Sequence, residues 1–203
     1  MKIICIGRNY AEHAKELGNP LPETPVFFLK PNTSLLIRNR PFFYPEFSKD
    51  IHYETELVIK VKKNGRHIAE KFAHSYYDEI GLGIDFTARD LQKKCKEKGL
   101  PWEIAKGFDQ SAPVSKFIPI SEFDDIGDVG FHLELNGKIV QKSSSRHMIF
   151  SFDRIISYVS QFITLKMGDL IYTGTPEGVG PVNIGDHLVG YIGEKKMLNF
   201  KVK

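Results

Sequence analysis

The chain has 203 residues, 41% of them hydrophobic and 26% charged, with a formal net charge of +3. At roughly 100–200 residues per domain this favours one catalytic-sized unit over the whole of 1–203, and a composition near the globular average excludes a disordered or fibrous chain and carries no membrane signature. The positive surplus is small and the lysines are scattered rather than blocked, so no nucleic-acid or membrane partner is expected, and small anions are the better candidates.

From the N-terminus, Lys2–Gly7 is short and β-branched and reads as a strand. Its apolar part, Ile3–Ile6, is too brief for a signal region or a membrane-spanning helix. Asn9 is placed to cap a helix over Tyr10–Leu17, stopped by Gly18. Asn19–Pro25 holds three prolines, which makes it a loop. A buried stretch follows at Val26–Leu29, and Arg38–Asp50, with Pro41 and Pro45, reads as strand fragments joined by turns.

The clearest strand signal is His52–Lys62, in which His52, Glu54 and Glu56 share one face by the alternation of successive side chains. Asn64-Gly65 then reads as a hairpin turn. Ile80–Asp85 is a second strand, followed by a helix over Thr87–Lys98 with capping-box spacing between Thr87 and Asp90 and a stop at Gly99 and Pro101. Gly130–Leu135, the Asn136-Gly137 turn and Lys138–Gln141 form a hairpin, Phe152–Gln161 is a helix, and Asp169–Thr173 and His187–Tyr191 are later strands. The expected fold class is α+β and β-rich.

Two cysteines, Cys5 and Cys95, lie far apart with neither a metal-ligand spacing nor a disulfide framework, which indicates free thiols in a reducing compartment and a cytoplasmic chain.

Chemistry gathers at the carboxylates. Glu54 and Glu56, two residues apart on a strand, place their Cα atoms roughly 6.5–7 Å apart. That is close enough for both side chains to hold one divalent cation and too close to flank a glycosidic bond. By themselves they would serve equally as a solvated strand face. Asp85, at the end of an apolar strand containing Gly81 and Gly83, is an unusual place for an unpartnered charge, its alternative role being to complement the dipole of the following helix. Together the three form an all-oxygen site suited to Mg²⁺ or Mn²⁺, with Ca²⁺ able to substitute in crystals.

His13 and Glu16 share a helix face, so the carboxylate can orient the imidazole as a general base, or the two form a surface pair. Arg8, Lys30, Arg89 and Lys106 are cations available to an anionic substrate, with Gln92 one turn after Arg89. The glycine-rich Tyr172–Pro181 loop lacks the Gly-Lys-Ser/Thr of a phosphate cradle, leaving Thr175 as a hydroxyl offered to a carboxylate or as part of a tight turn.

These motifs resemble the fumarylacetoacetate hydrolase family, in its compact acylpyruvase and oxaloacetate decarboxylase branch. The matching stretches are Gly7-Arg-Asn-Tyr10, Phe28-Leu-Lys-Pro31, His52-Tyr-Glu-Thr-Glu56, Asp85-Phe-Thr-Ala-Arg-Asp-Leu-Gln92, Lys98-Gly-Leu-Pro-Trp102, Ala105-Lys106, Pro113-Val-Ser115, Met148-Ile-Phe-Ser151 and Thr173-Gly-Thr-Pro-Glu-Gly-Val-Gly180. They run through nearly the whole chain. The resemblance implies a mixed β roll of packed sheets, usually a homodimer, with Glu54, Glu56 and Asp85 as metal ligands. It implies a catalytic dyad of His13 and Glu16 on a lid formed by residues 10–25, Lys106 beside the metal, and Arg8, Lys30, Arg89, Gln92 and Thr175 at or behind the substrate.

The implied reactions are hydrolysis of 3-acylpyruvates and decarboxylation of oxaloacetate through a pyruvate enolate. Isomerisation of 2-oxo or 2-hydroxymuconic-type diacids, oxaloacetate keto–enol exchange included, is the alternative, and a non-catalytic cation-binding module is a rival of another class. One departure is Ser143-Ser-Ser-Arg146-His147, whose added positive charge bears on substrate preference.

Overall fold

In the computed structural model, which describes residues 1–16 and 21–203, the chain opens with strand β1 (Ile3–Gly7), buried through Ile6. Helix α1 (Ala11–Glu16) follows, and β2 (Val26–Lys30) returns antiparallel along β1 with Ile3 opposite Lys30. Next come β3 (Leu35–Leu36), β4 (Ile51–Tyr53), β5 (Thr55–Val61), α2 (Glu70–Ala73), β6 (Tyr77–Ile84) and β7 (Thr87–Ala88). Helices α3 (Arg89–Lys98) and α4 (Glu103–Lys106) precede β8 (Ala112–Pro113) and β9 (Ile118–Pro119). The remainder is β10 (Gly130–Leu135), β11 (Lys138–Ser144), α5 (Phe152–Phe162), β12 (Leu170–Tyr172), β13 (Gly180–Pro181), β14 (His187–Ile192) and β15 (Lys195–Lys201).

Six strands form one sheet in the order β2-β1-β12-β5-β6-β9. It is mixed: β1 runs parallel to β12, and the other neighbours are antiparallel. A second, antiparallel sheet has the order β11-β10-β14-β15. The inner faces of the two sheets share one core, Leu57, Leu82 and Ile84 from the first meeting Leu133, Leu188 and Leu198 from the second. The approach is tight at Gly190, where a Cβ would lie 2.6 Å from Leu82 Cδ2, so only glycine lets the sheets close there. This is the β-rich α+β architecture of packed sheets that the sequence predicts.

Several local expectations are corrected. Val26–Leu29 is not buried: it lies on an edge strand with Val26 42% and Leu29 41% exposed, and the buried residue of β2 is Lys30. His52–Lys62 is two strands rather than one, broken at Glu54, because β4 pairs with β7 and β13 while β5 pairs with β6 and β12. Asn64-Gly65 makes no tight hairpin. Gly65 bridges Leu165, Asn64 Oδ1 accepts from Met167 N at 2.9 Å, and the chain passes through α2 before returning as β6.

Asn9 caps nothing. Its side chain is fully buried, accepts from Phe150 N at 2.7 Å and donates to Thr173 O at 2.8 Å, tying three segments together. Thr87 belongs to β7, so the capping box with Asp90 does not form: Asp90 instead accepts from Ser48 Oγ at 2.7 Å. The left-handed stop of α3 at Gly99, with φ 62°, is as expected, and so is the Asn136-Gly137 turn with both φ values positive. β15 adds a strand beyond those the sequence pattern predicts. The described part of the first helix ends at Glu16, and the expected Leu17 end, Gly18 stop and Asn19–Pro20 loop start lie outside the described residues.

Candidate metal centre and its cleft

Pairing of β5 with β6 sets Glu56 opposite Gly83 and Thr55 opposite Ile84. Asp85 N then donates to Glu54 O at 2.8 Å, so the two strand ends are fastened with both acidic side chains at the same end of the sheet. Gly83 is required: a Cβ there would lie 2.4 Å from Cε1 of Tyr172, whose hydroxyl is anchored on Pro113 O at 3.0 Å. The outcome is three buried carboxylates, Glu54, Glu56 and Asp85, that can offer ligand atoms within 4.8 Å of one another.

Burying three carboxylates is costly unless they are paired or bind a cation. Lys106 Nζ bridges Glu54 Oε2 at 2.8 Å and Asp85 Oδ2 at 2.7 Å, and Arg89 Nη2 holds Glu54 Oε1 at 2.7 Å. Burial pushes Glu54 up, but Lys106 and then Arg89 outweigh it and hold the carboxyl below its ordinary range. Burial would lower Lys106, and Asp85 and Glu54 raise it above a normal lysine. Glu56 has no cationic partner among the described residues. It accepts only a backbone bond from Gly174 N at 2.7 Å, and burial, then Asp85 and Glu54, push it well above the ordinary value.

Asp85 Oδ1 is close to Lys30 Nζ, 2.6 Å, but without an aligned hydrogen bond, since that ammonium donates to Phe86 O, Ser111 O and Ser111 Oγ. A Glu56 without a cationic partner among the described residues and an oxygen-only donor set fit a hard divalent cation.

His13 lies on the same cleft, 5% exposed, with Nδ1 3.1 Å from Glu16 Oε2. Glu16 Oε1 accepts from Gly178 N at 3.2 Å, so the glycine-rich loop fixes the carboxylate that orients the imidazole. With Nδ1 assigned as the donor to Glu16, Nε2 is the nitrogen left for a ligand. The cleft encloses about 50 Å³ and is lined by Arg8, His13, the three carboxylates, Arg89, Gln92, Lys106 and Thr175 among others.

Not every expected residue faces it in the expected way. Lys30 is 2% exposed and sits behind Asp85, supporting the carboxylate without lining the cleft. Thr175 lines it, but its hydroxyl is committed to Thr55 O at 2.9 Å. Arg89 is spent on Glu54 and on Gln92 Oε1, 2.8 Å away, which leaves the Gln92 NH₂ for a ligand. Arg146, the departure in sequence, is not a cleft residue and lies 3.3 Å from Asp128.

Sequence reasoning missed Lys96, Trp102 and Phe28, which line the cleft, and Gln141, which supports it from the second sheet. Helical spacing from Arg89 would have flagged Lys96. Nothing local marks Gln141, a polar residue in a strand that reads as solvent-facing.

The fumarylacetoacetate (FAA) hydrolase C-terminal family matches residues 2–202. The chain is 44% identical to a mitochondrial oxaloacetate tautomerase of Mus musculus over 201 residues, 99% of this chain and 91% of that one. It is 47% identical to a mitochondrial oxaloacetate decarboxylase of Dictyostelium discoideum over 185 residues, 91% and 85% of the two chains. Among solved structures, a fumarylpyruvate hydrolase from Pseudomonas aeruginosa in complex with Mn²⁺ and pyruvate superposes with TM-score 0.94 at 38% identity, covering 100% of this chain and 89% of that one.

Proposed function

The chain belongs to the fumarylacetoacetate hydrolase family, and on that footing we propose that it is a divalent-cation-dependent enzyme that makes or quenches the enolate of a small 2-oxo acid, with oxaloacetate as the first substrate. Enol–keto exchange and loss of CO₂ are its proposed reactions. The observation that carries this reading is that three buried carboxylates and an oriented His13 open onto one cleft. Oxaloacetate is placed first because relatives at 44% and 47% identity are named for it.

Glu54, Glu56 and Asp85 would hold Mg²⁺ or Mn²⁺, which when bound supplies Lewis acidity toward the 2-oxo acid. Lys106, already between Glu54 and Asp85, keeps an ammonium where negative charge grows on the substrate's 2-oxygen. His13 Nε2 takes a proton from C3 of the keto acid or returns one to the enol, and Glu16 stabilises the imidazolium that results. The Gln92 amide and the Arg8 guanidinium bind substrate oxygens, while Phe28 and Trp102 supply apolar walls that limit water. For decarboxylation the C3–C4 bond breaks, its electron pair stays on the three-carbon fragment, and His13 protonates C3.

Hydrolysis of 3-acylpyruvates is a second reading, favoured by the His13–Glu16 pair. There His13 takes a proton from water, the hydroxide adds to the distal carbonyl, and the C–C bond breaks toward the same enolate. A single domain over 1–203, a homodimer and a cytoplasmic location belong to the same proposal. Cys5 and Cys95, both buried and unpaired, agree with a reducing compartment.

The test is a turnover panel of oxaloacetate, acetylpyruvate and fumarylpyruvate, following enol absorbance and pyruvate release separately, with EDTA and then Mg²⁺ or Mn²⁺ added back. Metal-dependent decay of the oxaloacetate enol is expected. No turnover of any of the three with either metal would refute the reading.

A further inference from the structure

Arg89, Gln92 and Lys96 stand three and four residues apart on α3, on one helical face, and all three line the cleft. Two of them are engaged with each other and with Glu54. Lys96 is exposed at the cleft mouth, and no carboxylate pairs with it among the described residues. Its Nζ lies 5.6 Å from the centroid of the Trp102 ring, which sets the direction of the side chain.

The deep cations have their counter-charges. Lys30, Lys106 and Arg89 each lie within 2.6–2.8 Å of Glu54 or Asp85. Arg8 and Lys96 have none among the described residues, so the positive surplus sits at the mouth rather than the floor. Like charges gathered this way repel one another, and an anion between them removes the penalty. Partial burial, then the Arg89 and Arg8 charges, hold Lys96 below an ordinary lysine value, as expected of a cation without an anion beside it.

We infer that Lys96 is a specificity-determining residue that recognises a second, distal carboxylate of the substrate, so that the site selects dicarboxylic 2-oxo acids over monocarboxylic ones. The inference rests on the 2-oxo acid reading above. Lys96 stands two helical turns from Arg89, about 10 Å along the axis. Lys96 and Arg8 line the same cleft as the three carboxylates, so in this reading they are the cations left to meet the far end of a substrate held at the ligands by its 2-oxo acid end. A methyl-terminated substrate leaves both cations unpaired.

The test needs a matched pair of probes of equal chain length, 2-oxoglutarate and 2-oxovalerate, titrated calorimetrically into the full chain in saturating Mn²⁺. The wild type should prefer the dianion. Lys96→Met should shrink that preference about 10- to 100-fold, the range of one lost charge-assisted contact, while Lys96→Arg keeps most of it. A wild type without preference, or a Lys96→Met variant that retains it, overturns the inference. Because binding is read without turnover, failure of the turnover panel sinks the proposed function alone, and an unchanged binding ratio sinks the role of Lys96 alone.

Discussion

Gln141, on β11 of the second sheet, accepts a hydrogen bond from Thr55 N at 3.0 Å, on the residue between Glu54 and Glu56. The same amide donates through Nε2 to Thr175 Oγ1 at 2.9 Å and to Pro176 O at 3.0 Å. One buried side chain thus fixes both the ligand strand and the glycine-rich loop. Gln141→Ala leaves these groups unsatisfied, at a cost of about 1–3 kcal/mol. By loosening the support of the ligands it should also weaken Mn²⁺ binding roughly 10- to 100-fold. Urea unfolding and calorimetry read the two effects; unchanged Mn²⁺ affinity would reduce Gln141 to a purely structural residue.

His13→Ala should lower kcat on oxaloacetate enol by about 100- to 10,000-fold, the usual size of a lost general acid–base group. Its Mn²⁺ affinity should stay near wild type, because Glu54 and Asp85 are held by Lys106 and Arg89 and the imidazole pairs with Glu16 instead. Wild-type kcat in this variant would remove His13 from the chemistry.

Chelation should abolish activity without unfolding the chain, because Lys106, Arg89 and Lys30 already compensate Glu54 and Asp85 from within. A cation at 100 times its Kd stabilises by about 2.7 kcal/mol. For a chain of this size that corresponds to a fall in Tm of roughly 5–11 °C on EDTA addition. Collapse of near-UV circular dichroism at 25 °C in EDTA would show instead that the cation holds the fold.

Asp90 supplies a pH dependence away from the cleft floor. Burial raises its carboxyl, but donors from Ser48, Lys49 and Leu91 outweigh burial and hold it below the ordinary value. With the folded value lower than the unfolded one, about 3.9, the group's stabilisation is complete above the unfolded value and is lost as pH falls through the folded one. Asp90→Asn should therefore be less stable than wild type at pH 6–7, with the gap closing below about pH 4. A gap in urea midpoint that does not change with pH would contradict this.

What was legible in the sequence was what local chemistry decides. The left-handed glycine at Gly99 and the Asn136-Gly137 turn follow from φ preferences, whereas the single pleated face expected for Glu54 and Glu56 is interrupted at Glu54, where β4 ends and β5 begins. What was not legible was decided by distant partners. Asn64-Gly65 has hairpin chemistry but is claimed by Leu165 and Met167, and Asn9 has capping chemistry but is claimed by Phe150 and Thr173. β15 was obscured by its lysines, Lys195, Lys196 and Lys201, although Leu198 and Phe200 alternate inward. At the site the carboxylate spacing was readable. The turn of Lys30 away from the cleft and the reach of Gln141 across the sheets were set by packing that no short window contains.

The most direct measurement is calorimetric titration of Mn²⁺ into the wild type and into Glu54→Gln, Glu56→Gln and Asp85→Asn, each first shown to be folded by circular dichroism. Near-stoichiometric binding of one ion by the wild type and loss of at least about 100-fold in affinity in each variant is the predicted result. Wild-type affinity in any of the three would take that carboxylate out of the site, and wild-type affinity in all of them would leave the proposed chemistry without a centre.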